Sequence, residues 1–236
     1  MRIWDLNPGY LNRQSLLGEH RELHGIVSIL VNKKKGYAKH PETLRWVKHG
    51  WALTMRHNLL AAEMSLRGYQ DKSPVDLKGN TGTWPPVYID PPIGQLHILK
   101  NKYQDKEPGR IPLPRSGQHM WTHHKYSLLA RNPDVYKQIG KEVSLMKPKD
   151  DISDLALLLT EWLKKPPTEG GIRNSLQHMW GHVSDFTKTK NNDIDKLSLT
   201  GLLLKIQELA KEHQEAYLLS STALSELMVW IEQSIY

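Results

Sequence analysis

The chain contains no cysteine. Disulfides, thiolate metal centres and cysteine nucleophiles are therefore excluded from its chemistry. It has no run of 18 or more apolar residues, so no transmembrane helix is expected. The first residues do not read as a signal peptide, because Asp5, Asn7, Asn12 and Arg13 interrupt any apolar core. Gly-rich phosphate loops, a G-x-S-x-G nucleophile elbow, an HExxH metal motif and internal repeats are all missing. These absences argue against secretion, membrane insertion, nucleotide hydrolysis and zinc-protease chemistry.

What is present is a globular composition with 39% hydrophobic and 24% charged residues in 236, enough for one large or two small domains. The net charge of +7 is unevenly placed: residues 1–116 hold 18 Lys/Arg against 10 Asp/Glu, and residues 117–236 hold 14 against 15. A basic half joined to a near-neutral half points to a polyanion facing the first half only. On charge alone, a basic surface that serves solubility fits equally well.

The pattern along the chain is mainly α. Asn7-Pro8-Gly9 is a turn signal that ends a strand-like N-terminal piece. A first helix is predicted from Asn12 to Asn32, followed by the basic loop Lys33-Lys34-Lys35-Gly36-Tyr37. A second helix opens at His40-Pro41-Glu42 and is predicted to run to Arg67, with Gly68 as its stop. Arg45, Lys48, His49 and Arg56 fall within one face of it, a stripe suited to a phosphate backbone or to plain solvent. Residues 70–116 hold eight of the 14 prolines and are predicted to form an extended arm or linker without a long helix. Trp84, Tyr88 and Tyr103 with Lys100 and Lys102 interleave aromatic and basic groups there, as in surfaces that stack on bases. Beyond Gln118 the pattern is again helical, at Met120–Leu129, Asn132–Met146, 151–164, 171–187, 196–213 and 215–234. Leu202, Leu203, Ile206 and Leu209 make a buried stripe in an all-α bundle.

Residues 1–24 concentrate the chemistry. A free α-amine has a reference pKa of about 7.7–8.0, so roughly a third of it is the neutral nucleophile near pH 7.5, far more than for a lysine. In the first helix Leu16, Leu23, Val27 and Leu30 share one stripe, which leaves Gln14 and Arg21 on the opposite face with Glu22 beside them. Taken alone, an Arg–Glu neighbour pair on a solvated face also accounts for this.

Met1-Arg2-Ile3, Gln14, Leu16 and Glu19-x-Arg21-Glu22-Leu23 resemble the N-terminal region of the bacteriophage-type pyrimidine-dimer DNA glycosylases of the endonuclease V type. The likeness is specific over residues 1–24 and fainter to about residue 69. It implies that the amine of Met1, retained because Arg2 follows it, is the nucleophile, and that Glu22 is the catalytic acid. It also implies that Arg2, Gln14 and Arg21 contact DNA. Arg13 and His24 are further candidate DNA contacts, together with the Arg45, Lys48, His49 and Arg56 stripe read from helical spacing. Two positions depart from the family: Ser15 stands where it has a histidine, and Gly25 where it has an arginine.

The second half has its own resemblance. Trp121-Thr-His-His-Lys125-Tyr126, Arg131-Asn-Pro-Asp-Val-Tyr136-Lys-Gln-Ile-Gly140, Lys165-Pro166-Pro167-Thr168 and Asn174-Ser-Leu-Gln177-His178-Met-Trp-Gly181-His182 look like the helical domain of unknown function of YbgA-type proteins. His123, Lys125, Arg131, Arg173, Asn174, Gln177 and His178 are polar residues in helical settings, suited to lining a groove. His178 and His182 are spaced for a metal, but stacking, capping or core hydrogen bonds suit them better.

The resemblances imply a glycosylase-like catalytic domain at 1–116, including the Pro-rich arm at 70–116, and a YbgA-type all-α domain at 117–236. They imply a DNA glycosylase with abasic-site lyase activity, directed at cyclobutane pyrimidine dimers and acting through a Schiff base on the N-terminal amine. The alternatives are the same chemistry on another bulky base, as in phage DNA, and a non-catalytic nucleic-acid-binding protein. The expected partner is double-stranded DNA with a damaged or modified base. No cofactor, metal or membrane is expected, and the protein is read as a cytoplasmic, nucleoid-associated monomer.

Overall fold

The computed structural model describes residues 1–187 and 194–233. Eleven α-helices are bounded among the described residues, which contain no strand, so the fold is mainly α as the sequence implied. No described helix is long and apolar enough to cross a membrane. The chain divides into two compact units, Met1–Gly109 and a second that starts at Arg110. The sequence reading placed this join after Ser116. Arg110 belongs to the second unit because its guanidinium donates to the carbonyls of Leu219 and Ser221.

In the first unit an irregular N-terminal segment leads through a short 3-10 turn, Pro8–Tyr10, into α1, Arg13–Val31. Asn12 starts α1 by accepting the Ser15 amide at 2.9 Å, and Asn32 closes it, as the sequence predicts. The buried face differs from the predicted stripe: it is Leu16, Glu19, Leu23, Ile26 and Ile29, without Val27 and Leu30. Counting only apolar residues missed Glu19, a carboxylate in a core position.

The single second helix is replaced by two, α2 at Pro41–Arg45 and α3 at Gly50–Leu66. The break has a tertiary cause. Lys48 adopts a left-handed conformation, φ 67°, and at Gly50 a Cβ would stand 2.5 Å from the Lys78 carbonyl. The chain near residue 78 therefore packs on the start of α3. The Pro-rich stretch does carry a helix, α4 at Pro92–Lys102. Pro91 and Pro92 sit at its N-cap and first turn, where a missing N–H costs nothing. α1 packs against α2 and α3.

In the second unit α5, Gly117–Leu129, lies at the centre and packs against α6 (Pro133–Leu145), α7 (Ser153–Leu163), α8 (Glu169–Trp180) and α11 (Ala223–Gln233). Burial around most of its circumference, from Met120 through His123, His124, Tyr126 and Leu128, fits that position. Side-chain oxygens of Asn132 and Thr168 cap α6 and α8. A Cβ on Gly171 would stand 2.0 Å from the Ala130 carbonyl, so glycine lets α8 cross the end of α5. α9, Leu199–Glu212, buries the predicted Leu202, Leu203, Ile206 and Leu209. The predicted helix at 215–234 is two, α10 (Ala216–Leu219) and α11, and its expected last residue lies outside the described residues. The predicted 171–187 helix ends at Trp180, with a 3-10 turn at Ser184–Phe186 beyond it.

Candidate active site

Two carboxylates one turn apart on α1 hold the N-terminal segment. The Trp4 amide donates to Glu19 Oε1 at 3.1 Å, and the Arg2 amide donates to Glu22 Oε2. Their surroundings differ. Glu19 is buried and gripped by Arg56, whose Nε and Nη2 donate to its two oxygens at 2.7 and 2.8 Å. Burial pushes the Glu19 carboxyl up, against the downward pull of Arg56. Glu22 is half-buried, and its described hydrogen bond is the one to the Arg2 amide. Three covalent bonds separate that nitrogen from the Met1 amine, so the amine lies within about 4 Å of it. The first residue and Glu22 therefore share one locality.

Residues from the Pro-rich stretch fix the same segment. Gln95 of α4 accepts the Asp5 amide and donates to the Asp5 carboxylate, both at 2.8 Å. Asp90 pairs with Arg2 at 2.7 Å, and the Arg2 guanidinium lies 4.9 Å from the Trp4 ring centre. The Tyr103 hydroxyl accepts the Asn12 amide at 2.9 Å. Tyr103 is thus buried beside α1 and does not offer its ring to a base. Trp84 meets Trp51 edge-on at 5.9 Å, and Tyr88 lies 5.9 Å from the Arg45 guanidinium. The aromatic–basic interleaving is in good part internal packing.

Arg13, Gln14 and Arg21 come together. With Leu17 and Glu107 they line an open depression of about 470 Å³ beside the exposed face of α1. The second-helix stripe does not assemble. Arg56 is 3% exposed and spent on Glu19 and the Leu6 carbonyl, so it is not available to DNA. The Arg45 side chain is 5% exposed, pairing with Asp5 and, at 3.2 Å, with Glu42. Lys48 stays exposed in the turn between α2 and α3, and His49, at the start of α3, meets the Thr83 carbonyl at 3.2 Å. The break between α2 and α3 removes the common face that a continuous helix would have given these four.

His24 points away from the predicted DNA face. Its Nε2 is 3.4 Å from His20 Nε2, and both rings lie close to His57 of α3, with centroids 5.1 and 5.2 Å away. Asp71 meets this group, 3.2 Å from His20 and 3.5 Å from His57. Burial holds His24 and His57 below the usual histidine range. Burial pushes Asp71 up, but the Ser73 amide, His57 and His20 together hold it below its ordinary value. Sequence reasoning expected no metal ligands and passed over this group, although the i,i+4 spacing of His20 and His24 was visible.

In the second unit the polar residues do not form one groove. His123 and the Arg131 side chain are buried; Arg131 pairs with Glu226 through two hydrogen bonds of 2.9 and 3.0 Å. Arg173 donates to the Leu197 carbonyl, and Gln177 to Asp195. Lys125 lies 4.6 and 4.5 Å from the ring centres of Tyr126 and Tyr217. His182 hydrogen-bonds Tyr126 at 2.6 Å and stacks on Tyr217, while His178 is exposed. Stacking and hydrogen bonding, not metal binding, thus account for His182.

Comparison with known families fits this division. Residues 1–77 match the family described as pyrimidine dimer DNA glycosylase. Residues 125–227 match the family described as a protein of unknown function, DUF1722. No curated protein and no solved structure matches the chain. Residues 1–77 are thus similar to the pyrimidine dimer DNA glycosylase family, and residues 125–227 to a family whose function is unknown.

Proposed function

We propose that the protein is a DNA glycosylase with abasic-site lyase activity, that Met1 supplies the nucleophile and that Glu22 assists it. The observation that carries this reading is the hydrogen bond from the Arg2 amide to Glu22, which holds that carboxylate beside the first residue. The match of residues 1–77 supports the reaction class.

In this reading the Met1 amine attacks C1′ of the damaged nucleotide. The glycosidic bond breaks, the base leaves with its electron pair and takes up a proton, and the amine nitrogen loses its protons as a Schiff base forms with the opened sugar. Glu22 stabilises the cationic sugar, and loss of a C2′ proton then expels the 3′ phosphate. Arg13, Gln14 and Arg21, gathered around one open depression, are the proposed DNA contacts, and Arg2 is the contact nearest the chemistry. Unstacking the target nucleotide costs a few kcal/mol and is cheapest at a lesion.

A pyrimidine dimer is the first substrate to test. A second reading keeps the chemistry and changes the lesion. Ser15 is buried and Gly25 has no side chain, so the family's histidine and arginine have no counterpart at these positions. Duplexes with one defined lesion each, incubated with the protein and borohydride, test the proposal. A covalent protein–DNA adduct and strand cleavage on at least one lesion are expected. Binding without adduct or cleavage across the panel would contradict the proposal and favour a non-catalytic binding protein.

A further inference from the structure

The His20, His24, His57 and Asp71 group is placed like a set of ligands. Its four donor atoms all lie within 4.8 Å of one another. Tetrahedral zinc with bonds of about 2.0–2.1 Å requires ligand atoms about 3.3 Å apart. Three contacts in the group already approach that value: His20 Nε2 to Asp71 Oδ1 at 3.2 Å, His20 Nε2 to His24 Nε2 at 3.4 Å, and His57 Nε2 to the other Asp71 oxygen, Oδ2, at 3.5 Å.

Neighbouring groups also orient two of these residues. His57 is 1% exposed, and its Nε2 faces the group without a hydrogen-bond partner, a destabilising state for a buried polar atom. Its other nitrogen, Nδ1, lies 3.4 Å from Asn58 Oδ1. A proton on Nδ1 leaves the Nε2 lone pair directed at the group, as in histidines that bind metals. The Ser73 amide donates to Asp71 Oδ1 at 3.0 Å by the same logic, steadying the carboxylate.

We infer that His20, His24, His57 and Asp71 bind one divalent transition-metal ion, zinc(II) by the chemistry of the donors. Three imidazoles disfavour calcium and magnesium, which prefer oxygen. Four protein ligands close the coordination sphere, the arrangement of a structural ion and not of a catalytic one. The ion would tie α1 to α3 and to the segment that follows α3. Glu22 lies two residues from each α1 histidine and so about 200° around the helix. The ion is therefore remote from the N-terminal chemistry, and the inference stands whether or not the protein is a glycosylase.

The test uses the full chain, stripped with a chelator and then titrated separately with zinc(II) and cobalt(II). One equivalent of either metal should bind, cobalt should give the intense visible bands of a tetrahedral site, and zinc should raise the melting temperature by several degrees. Asp71→Asn and the His20→Ala/His24→Ala double variant should lose the equivalent, while His178→Ala/His182→Ala should keep it. If the first two variants misfold, 15N-histidine spectra of the unmodified protein decide the matter. Zinc must then shift three imidazoles strongly, with those of the His178→Ala/His182→Ala variant unchanged in number. No stoichiometric metal on the folded protein, or an equivalent that survives Asp71→Asn or the His20/His24 double variant, overturns the site.

Discussion

Arg56 in the first unit and Arg131 in the second are both buried and both gripped by a glutamate through two hydrogen bonds. What surrounds the two pairs differs. In the first unit Glu22, one turn from Glu19, remains half-buried beside the first residue, and the preceding residue, Arg21, lines an open depression. In the second unit Arg131, His123 and His124 turn inward. Arg131 also donates to the carbonyls of Ser127, Leu163 and Lys165, and His123 and His124 are buried in α5. Similar helical sequences, rich in histidine and arginine, thus serve different ends. The first unit adds to its buried pair ionisable groups that a ligand can meet, and the second adds to its own further internal contacts.

The largest expected effect compares the struts. Arg56→Ala and Arg131→Ala each strand a buried carboxylate and should cost about 3–5 kcal/mol in denaturant unfolding. Arg131→Ala should cost more, because three backbone carbonyls lose their donor as well. A loss below about 1 kcal/mol, the range of a surface pair, in either variant would break the parallel.

Glu22→Gln sharpens the contrast between adjacent carboxylates. It keeps the size and removes the charge, and should reduce base release by about 100-fold or more, with lesion binding and stability near normal. Glu19→Gln should instead act through stability. Equal turnover by Glu22→Gln and the parent would make Glu22 an ordinary surface residue.

Acid should separate the units further. Burial, with His119, His124 and Arg110 nearby, pushes His123 down to about 2, and burial pushes His124 down to about 4. Both folded values lie below the unfolded value of about 6.5, so the unfolded chain takes up protons first as the pH falls. The stability they contribute is complete above about pH 6.5. It is lost as the pH drops from there towards 4, at about 1.4 kcal/mol per pH unit for each histidine. Denaturant midpoints between pH 4.5 and 7 should fall less steeply for His124→Phe than for the parent; parallel slopes would contradict this assignment.

The smallest effect concerns the open depression. Arg13→Ala and Arg21→Ala should each weaken DNA binding a few-fold and lower the slope of log affinity against log salt by about one. Arg56→Ala, kept below its melting temperature, should leave that slope unchanged.

Much of this architecture is legible locally. Asn12 and Asn32 bound α1, Asn132-Pro133 starts α6, and the Leu202–Leu209 stripe is buried, because caps and periodicity act over a few residues. Arg13, Gln14, Arg21 and Glu22 follow from helical phase and family likeness. What the sequence hid depends on distant partners. Glu19 enters the core only because Arg56 neutralises it, and the α2–α3 break depends on the chain near Lys78. α4 was missed because proline, a breaker inside a helix, is favourable at its start. His20 and His24 were visible as a pair, but His57 and Asp71 join them only through packing.

Peptide mapping of the borohydride-trapped adduct tests the central claim most directly. The DNA label should fall on the peptide that contains Met1, and acetylation of the first residue should abolish trapping while leaving salt-dependent DNA binding intact. A label on an internal lysine, or undiminished trapping by the acetylated protein, would contradict the pairing of Met1 with Glu22.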